Sequence, residues 1–310
     1  MQETRRRVLA ALADGPVAGP ALADDLGVSR AAVWNHVEAL RAEGFGVEDT
    51  GDGYELVAVP EYGGAAVAHA LGADYDVAFH DELPSTNARA RDLAAEGATD
   101  TLVVAARQTG GRGRLDREWA SPEGGIYASL LVRPDVPATH APAYTLAAAV
   151  AVADAARSAG VDAGIKWPND VLVPTDDGAR KLCGVLTEME GEADRVSWLV
   201  VGIGVNANVA REDLPETATS VLAETGPVER RALLAEVVDR FADLTADLDA
   251  VLPAWRDRAL TLGREVRVET PGGTVEGTAT DVEFPGTLVV ETADGPVRVT
   301  AGDCEHLRPR

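Results

Sequence analysis

The sequence predicts an α+β protein built from three consecutive parts, and three patterns along its 310 residues support this fold class. Three short amphipathic helices and a hairpin pattern occupy residues 1–60. Residues 61–260 alternate apolar strands with helices, and short turns between neighbouring strands favour an antiparallel sheet with helices on one side. Residues 261–310 contain short alternating strands separated by glycine turns, which indicates a small β-barrel.

The first part has the pattern of a winged helix-turn-helix. Apolar positions in residues 3–12 share one helix face, and a second short helix is predicted over residues 19–26. After a glycine turn, Ser29 caps a third helix that runs to about residue 42. A hairpin over residues 47–59 would form the wing.

The third helix would present its outward face to a DNA major groove. The residues predicted on that face are Ser29, Arg30, Ala31, Trp34 and Asn35. Residues 1–61, however, contain five arginines and eleven carboxylates, whereas a DNA-binding surface is normally basic. Two interpretations therefore stay open: a DNA-binding domain, or a vestigial or protein-docking domain in which Trp34 packs against the wing.

A loop within residues 105–125 is the first candidate for chemistry, because it contains four arginines and five glycines. It follows an apolar segment, residues 101–105, that is predicted to be a buried strand. The glycines would allow the backbone to approach a ligand closely, and Arg112 and Arg114 would supply cations for a carboxylate or phosphate. A mobile surface loop is the alternative interpretation.

Two lysines mark two further motifs. Lys166 and Lys181 are the only lysines, so the other 26 of the 28 basic residues are arginines. Lys166 begins the segment KWPND, in which Pro168 ends a predicted strand at a point where catalytic side chains are often found. A lysine in such an arginine-rich chain suggests a requirement that arginine cannot meet.

The segments QTGGRGR and KWPND, together with Ser85-Thr86-Asn87, KLCGVL and GIGVN, resemble the motifs of the biotin protein ligases, in the same order along residues 85–206. The helix-turn-helix before them is similar to that of bifunctional members, which are both ligase and biotin-operon repressor. The resemblance implies a catalytic domain related to class II aminoacyl-tRNA synthetases and an SH3-like C-terminal domain. It also implies operator DNA as a partner, bound by a homodimer.

The reaction implied by this resemblance is the ATP-dependent formation of biotinyl-5′-AMP, followed by transfer of biotin to a lysine of a biotin carboxyl carrier domain. Lys166 is expected to be the cation that contacts both the biotin carboxylate and the α-phosphate, since charge builds up there. Arg112 and Arg114 are expected to hold the adenylate. Mg²⁺ would arrive with ATP, and no dedicated metal site is expected.

The resemblance also assigns binding residues. The biotin-binding residues would be Ser85, Thr86, Asn87, Gln108, Arg112, Gly113, Arg114 and Lys166. The residues that bind ATP or the adenylate would be Arg114, Trp119, Asn169 and Asn206. Ser85 could instead act only as a helix cap, and Trp119 could be an ordinary core residue. The family often has a basic residue or glycine where this chain has Leu115-Asp116.

Composition limits the other function classes. A net charge of −23 disfavours nonspecific attraction to nucleic acid or anionic membranes at ordinary ionic strength, although molar salt would screen the self-repulsion, as in a halophilic cytoplasm. The absence of a long apolar stretch or a signal-peptide pattern predicts a cytoplasmic protein without a membrane partner. The two cysteines indicate neither a disulfide framework nor a zinc site.

Four functions stay open at this point. A ligase alone would biotinylate a carrier, a bifunctional protein would also bind its operator, and a pure regulator would bind biotin without turnover. Lys166 and the intact GRGR loop argue against the pure regulator, and the same loop disfavours lipoate ligation.

Overall fold

A computed structural model describes residues 3–307. Helices α1 (Glu3–Ala13), α2 (Gly19–Leu26) and α3 (Arg30–Ala42) are followed by a hairpin of strands β1 (Gly46–Thr50) and β2 (Gly53–Ala58). This arrangement confirms the winged helix-turn-helix.

The cap of α3 forms as expected. The Ser29 hydroxyl accepts a hydrogen bond of 3.1 Å from the Ala32 N–H. Val33, Val37 and Leu40 point into the small core of this domain and are buried. Burying those three residues fixes which side of α3 faces solvent.

The outward face of α3 carries the residues expected there. Ser29, Arg30, Ala31, Trp34 and Asn35 are all exposed. Trp34 is 54% exposed, so the interpretation that it packs against the wing is wrong. A large exposed aromatic side chain on this face is available to a partner.

A seven-stranded sheet forms the centre of the molecule, in the order β3-β4-β5-β9-β8-β7-β6. Its strands are β3 (Asp76–Leu83), β4 (Thr101–Gln108), β5 (Ile126–Val132), β6 (Gly164–Lys166), β7 (Asp170–Thr175), β8 (Gly178–Glu192) and β9 (Arg195–Val205). Neighbouring strands are antiparallel except β3 and β4, which are parallel. The expectation of an antiparallel sheet therefore fails at this edge, where helix α5 (Thr86–Ala95) makes the crossover that a parallel pair requires.

Helices cover both faces of the sheet, so the expectation of helices on one side only is wrong. One layer contains α6 (Ala141–Ser158), α8 (Arg230–Ala246) and α9 (Val251–Arg256), with α4 (Gly64–Ala70) beside α8. The short helix α7 (Val221–Thr225) lies between β9 and α8 in the chain. On the opposite face, Ala90 and Ala94 of α5 pack against Val103, Leu131 and Val200.

The C-terminal domain is a five-stranded antiparallel sheet in the order β13-β12-β11-β10-β14. Its strands are β10 (Glu265–Thr270), β11 (Gly273–Glu283), β12 (Thr287–Thr292), β13 (Gly295–Val299) and β14 (Asp303–His306). The expected short antiparallel strands are confirmed. Strand β14 was not foreseen, because its four residues include only one buried apolar side chain, Cys304.

The segment between the first two domains is fixed to the N-terminal end of α8. The Glu61 carboxylate accepts hydrogen bonds from the Arg230 backbone N–H (2.9 Å) and from Arg230 Nη2 (2.7 Å). The Arg230 guanidinium also lies 4.2 Å from the centre of the Tyr62 ring. The residues that follow the first domain are therefore joined to the catalytic domain by hydrogen bonds and a cation–π contact, in addition to the covalent chain. Within residues 3–307, no helix combines the length and the apolar character that crossing a membrane requires.

Candidate active site

A cavity of about 250 Å³ opens on the face of the central sheet that α5 covers. Gly202 and Gly204 line it and alternate along β9 with Val200, which packs against α5, so the three share a face. Ten predicted ligand-binding residues line the cavity: Ser85, Thr86, Asn87, Gln108, Arg112, Gly113, Arg114, Trp119, Asn169 and Asn206. Lys166 is the one predicted ligand-binding residue that does not line the cavity.

One end of the cavity is organised by Gln108. Its Oε1 accepts hydrogen bonds from the Thr86 N–H (2.7 Å) and the Thr86 hydroxyl (3.1 Å). Its Nε2 donates to the Ser121 hydroxyl at 3.1 Å, which fixes the orientation of the amide. Ser85 caps α5 through a 3.3 Å hydrogen bond from the Ala88 N–H, as expected, and it also lines the cavity. Sequence reasoning missed Ser121.

Asn87 is held entirely by protein groups. Its Oδ1 accepts a hydrogen bond of 2.6 Å from the Ser129 hydroxyl, and its Nδ2 donates to Glu188 Oε2 at 2.7 Å. A Cβ at Gly202 would lie 2.1 Å from Asn87 Oδ1, so the first glycine of the GIGVN motif makes room for this side chain. Ser129 and Glu188 lie outside every motif, and sequence reasoning missed both.

Trp119 lies against the floor of the cavity, so it is not an ordinary core residue. A Cβ at Gly204 would lie 2.6 Å from Trp119 Nε1, and one at Gly184 would lie 3.1 Å from the six-membered ring. The glycines of two motifs therefore leave space for one indole. Trp119 Nε1 is buried without a hydrogen-bond acceptor in the described part of the chain, which leaves a donor for a bound ligand.

The two lysines meet at one carboxylate. Lys181 Nζ lies 2.7 Å from Asp170 Oδ1, and Lys166 Nζ lies 3.6 Å from Asp170 Oδ2. The first contact is an ion pair without the geometry of a directed hydrogen bond, since Oδ1 has no hydrogen-bond donor in the described residues. Lys181 lines the cavity, and its ammonium is 5.2 Å from the Trp119 ring centre.

Lys166 has different surroundings. It is close enough to Asp303 and His306 of the C-terminal domain to influence their pKa values. The sequence identified Lys166 as the first-choice cation, but the geometry places Lys181 at the cavity instead. The sequence indicated that both lysines were unusual, but only the fold shows that Lys181 lines the cavity and Lys166 does not.

The GRGR loop is fixed at its second arginine. Arg114 Nη1 donates to Asn169 Oδ1 at 3.0 Å, and Nη2 donates to the Gly302 carbonyl at 2.8 Å. Burial lowers the pKa of Arg114. Arg117 forms an ion pair with Asp303, and the hydrogen bond from Arg117 lowers the pKa of that carboxyl. The loop is thereby joined to both the KWPND turn and the C-terminal domain.

Leu115, which follows directly after the GRGR segment, has an unusual backbone conformation. Its backbone is left-handed, with φ 56, a conformation that favours glycine, and the residue is 70% exposed. Leu115 also lines the cavity. A strained, exposed apolar residue at the rim is consistent with a loop that rearranges around a ligand.

The two asparagines assigned to the nucleotide side are both buried. Asn169 Nδ2 donates to the Val185 carbonyl at 2.9 Å, and Asn206 Nδ2 donates to the Thr219 carbonyl at 2.9 Å. A further wall contains Leu214, Pro215, Thr217 and Ala218, which no motif indicated. Residues 3–307 contain no cluster of three or more His, Cys, Asp or Glu side chains that could hold a metal ion.

Comparison with protein families divides the chain in the same order. Residues 4–63 match an HTH domain, residues 79–206 match the Biotin/lipoate A/B protein ligase family, and residues 261–307 match the Biotin protein ligase C terminal domain.

Individual relatives agree with these matches. The chain is 37% identical over 307 residues to the bifunctional ligase/repressor BirA of Bacillus subtilis, covering 93% of each protein. It is 36% identical to the biotin–[acetyl-CoA-carboxylase] ligase of Mycobacterium tuberculosis, over 72% of this chain and 86% of that protein. Its fold is similar to the biotin protein ligase of Aquifex aeolicus in complex with biotin and ATP, with TM-score 0.63 and 27% identity, over 74% of this chain and 99% of that one.

Proposed function

The chain belongs to the family of the bifunctional biotin protein ligases, and on that premise we propose that it biotinylates a carrier protein and represses biotin genes. The observation that carries the ligase function is the convergence of the predicted ligand-binding residues, Lys166 excepted, on one cavity. In the first step, the biotin carboxylate attacks the α-phosphorus of ATP, and pyrophosphate leaves. In the second, the ε-amine of a carrier lysine attacks the acyl carbon of biotinyl-5′-AMP, an amide forms, and AMP leaves.

Lys181 is the cation that we place at the reacting atoms, in preference to Lys166. Its ammonium lies at the cavity wall and is held by Asp170, so it can stabilise the charge that builds up on the α-phosphate. Lys166 then supports the site indirectly, by sharing the Asp170 carboxylate.

The two ends of the cavity fit the two substrates. The network of Ser85, Thr86, Asn87 and Gln108 presents amide and hydroxyl groups of the kind that recognise the ureido ring of biotin. Arg112, Gly113 and Arg114 would enclose the adenylate. Trp119, Asn169 and Asn206 lie at the cavity where the nucleotide would bind, and the Trp119 N–H is available as a donor.

Magnesium is expected to arrive with ATP. The carboxylates at the cavity include Asp170, Glu118 and Asp303, but Asp170 and Asp303 already pair with cations. Mg²⁺ commonly binds through substrate phosphates and one or two carboxylates, and this site fits that mode better than a protein cage. The ion would neutralise charge on the departing pyrophosphate.

Repression is assigned to the first domain acting in a homodimer on operator DNA. The support is the outward face of α3, on which Trp34 and Asn35 are both exposed. Arginines in this domain are partly neutralised, since Arg5 pairs with Glu43 and Arg41 pairs with Glu38. Phosphate contacts should therefore be few, and the salt dependence of binding shallow. The alternative is a ligase whose first domain is vestigial.

The ligase proposal is tested by biotin-dependent release of pyrophosphate from ATP, measured at several KCl concentrations. We expect release with biotin, and little when lipoate replaces it. Binding of biotin without pyrophosphate release at any salt concentration would make the protein a regulator only. Faster release with lipoate would identify a lipoate ligase.

Replacing Arg114 with alanine should accelerate the dissociation of biotinyl-5′-AMP by about 10-fold or more, because each charge-assisted hydrogen bond contributes roughly 1.5–3 kcal/mol. The protein should still fold, since the change removes a loop side chain and opens no core cavity. The dissociation rate is measured by chasing labelled adenylate with unlabelled ligand. Arg107→Ala, which removes an exposed arginine paired with Glu82, is the matched control. Equal rates in Arg114→Ala and the control would mean that the loop does not retain the adenylate.

A further inference from the structure

The edge of the central sheet beside the KWPND turn is completed by residues 258–261, which lead directly into the C-terminal domain. The Ile165 N–H donates to the Arg258 carbonyl, and the Leu260 N–H donates to the Ile165 carbonyl, both at 2.8 Å. One step further along, the Trp167 N–H donates to a side chain, Thr261 Oγ1, at 2.9 Å. A threonine hydroxyl therefore satisfies the first backbone donor of the turn.

Thr261 is joined in turn to the last strand of the C-terminal domain. It is fully buried, and its Oγ1 lies 2.9 Å from His306 Nε2. Oγ1 accepts from Trp167 through one lone pair, which leaves its hydrogen and its second lone pair for His306, so the tautomer of His306 sets the direction of this second hydrogen bond. Burial lowers the pKa of His306 to about 4, and the nearby cations Arg264 and Lys166 act in the same direction.

A second contact holds the same turn from the same domain. The Trp167 indole N–H donates to the Gly286 carbonyl, between β11 and β12, at 2.9 Å. Trp167 is 1% exposed, so neither of its N–H groups has water as an alternative partner. The C-terminal domain thus binds both the backbone and the side chain of the residue that precedes Pro168.

The turn carries groups that define the cavity. Asn169 accepts a hydrogen bond from Arg114, and Asp170 pairs with Lys181 and Lys166. Both Asn169 and Asp170 line the cavity. A displacement of the turn would move Lys181 and the arginine loop together, and a misplacement of about 1 Å can cost roughly 100-fold in rate.

We propose that Thr261 and His306 are positioning residues for adenylation, which fix the KWPND turn through the chain of hydrogen bonds Trp167 N–H to Thr261 to His306. Among the residues of the C-terminal domain up to 307, Asp303 lines the cavity and no lysine or arginine does, so the role that we assign to these residues is to set the position of this turn. The inference rests on the proposed ligase function.

The test compares Thr261→Val with Thr261→Ser. Valine keeps the shape of threonine and loses both hydrogen bonds, whereas serine keeps the hydroxyl. We expect Thr261→Val to lower kcat for pyrophosphate release by about 10-fold or more, with KM for biotin changed by less than about threefold. Thr261→Ser should recover most of the loss.

Val290→Ala is the control for general destabilisation, because it truncates a fully buried side chain of β12 that contacts neither Thr261 nor the turn through hydrogen bonds. Thermal unfolding of all variants identifies a temperature at which each is folded. At that temperature Val290→Ala should retain kcat within about twofold, since surface and core changes away from the site act on stability. The inference fails if kcat for pyrophosphate release falls no further in Thr261→Val than in Val290→Ala. It also fails if kcat falls as far in Thr261→Ser as in Thr261→Val. Wild-type pyrophosphate release in the same assay tests the ligase function separately.

The same hydrogen-bond chain makes a prediction about acid stability. The folded-state pKa of His306, about 4, lies below the usual value of about 6.5. Between these two pH values, the imidazole is protonated in the unfolded state and stays neutral in the folded state. His306 therefore destabilises the fold progressively as pH falls from about 6.5 towards 4. His306→Gln keeps an acceptor and does not titrate. As pH falls over that range, the unfolding midpoint of the wild type should fall relative to that of His306→Gln. A constant difference would contradict a half-buried imidazole that stays neutral in the folded protein over this pH range.

Discussion

Lys181→Arg is expected to lower biotin-dependent pyrophosphate release by roughly 100-fold or more, the cost of removing one preorganised group that stabilises transition-state charge. A guanidinium keeps the charge, but its planar fork cannot occupy the compact position of an ammonium between Asp170 and the cavity. The long side chain would also meet Trp119, whose ring lies 5.2 Å from the lysine ammonium. The expected loss is in kcat, measured at saturating biotin and ATP.

Lys166→Arg is the matched comparison, because these are the only two lysines and both contact Asp170. We expect it to retain activity within about fivefold, since its ion pair is longer and such partly exposed pairs contribute little. If Lys166→Arg abolishes pyrophosphate release and Lys181→Arg does not, the role belongs to Lys166, as the sequence first indicated.

The double variant Trp34→Ala/Asn35→Ala should weaken binding to operator DNA by at least about 30-fold, because each good base contact contributes roughly 1–3 kcal/mol. Both side chains are exposed and belong to the outward face of α3, so the fold should not change. Asn35 can bond an adenine edge, and Trp34 can pack on a thymine methyl group. Pyrophosphate release should stay at the wild-type rate.

The DNA measurement is retention of DNA from upstream of biotin genes, at molar KCl, with and without biotinyl-5′-AMP. We expect adenylate-dependent retention and a log–log salt slope much smaller in magnitude than the value of about −10 of a basic repressor. Deleting residues 1–60 should abolish retention while ligation continues. Val297→Ala, which truncates an exposed apolar side chain in the C-terminal domain, controls for nonspecific effects. Wild-type protein that ligates but retains no DNA in that buffer would make the first domain vestigial.

Most of the predicted ligand-binding residues line one cavity, because short motifs retain their chemistry without knowledge of the fold. Ser85, Gln108, Arg114 and Asn206 were assigned from motifs, and they all line the cavity. Close approach was predicted only for the glycines of the GRGR loop, and the glycines of the GIGVN motif were assigned no role of this kind. Gly204, for example, makes room for Trp119, which comes from a loop 85 residues earlier in the chain.

What the sequence could not supply is the direction in which a side chain points. Lys166 and Lys181 each begin a motif, and the sequence does not distinguish their roles. The pairing of β6 with β7 brings Lys166 to Asp170, the pairing of β7 with β8 brings Lys181 there, and only Lys181 lines the cavity. The role of Thr261 could not be predicted from the sequence, because its hydrogen-bond partners, Trp167 and His306, lie 94 and 45 residues away. The parallel pairing of β3 and β4 was hidden for the same reason, since local turn patterns cannot specify a crossover.

The most direct test of this account is a single-turnover transfer. Protein carrying labelled biotinyl-5′-AMP is isolated, mixed with a biotin carboxyl carrier domain at molar and at low KCl, and the carrier is analysed by mass spectrometry. The account predicts biotin on one lysine of the carrier with release of AMP, and no transfer to a carrier in which that lysine is replaced by arginine. Adenylate that dissociates or hydrolyses at every salt concentration, with the carrier unmodified, would contradict it.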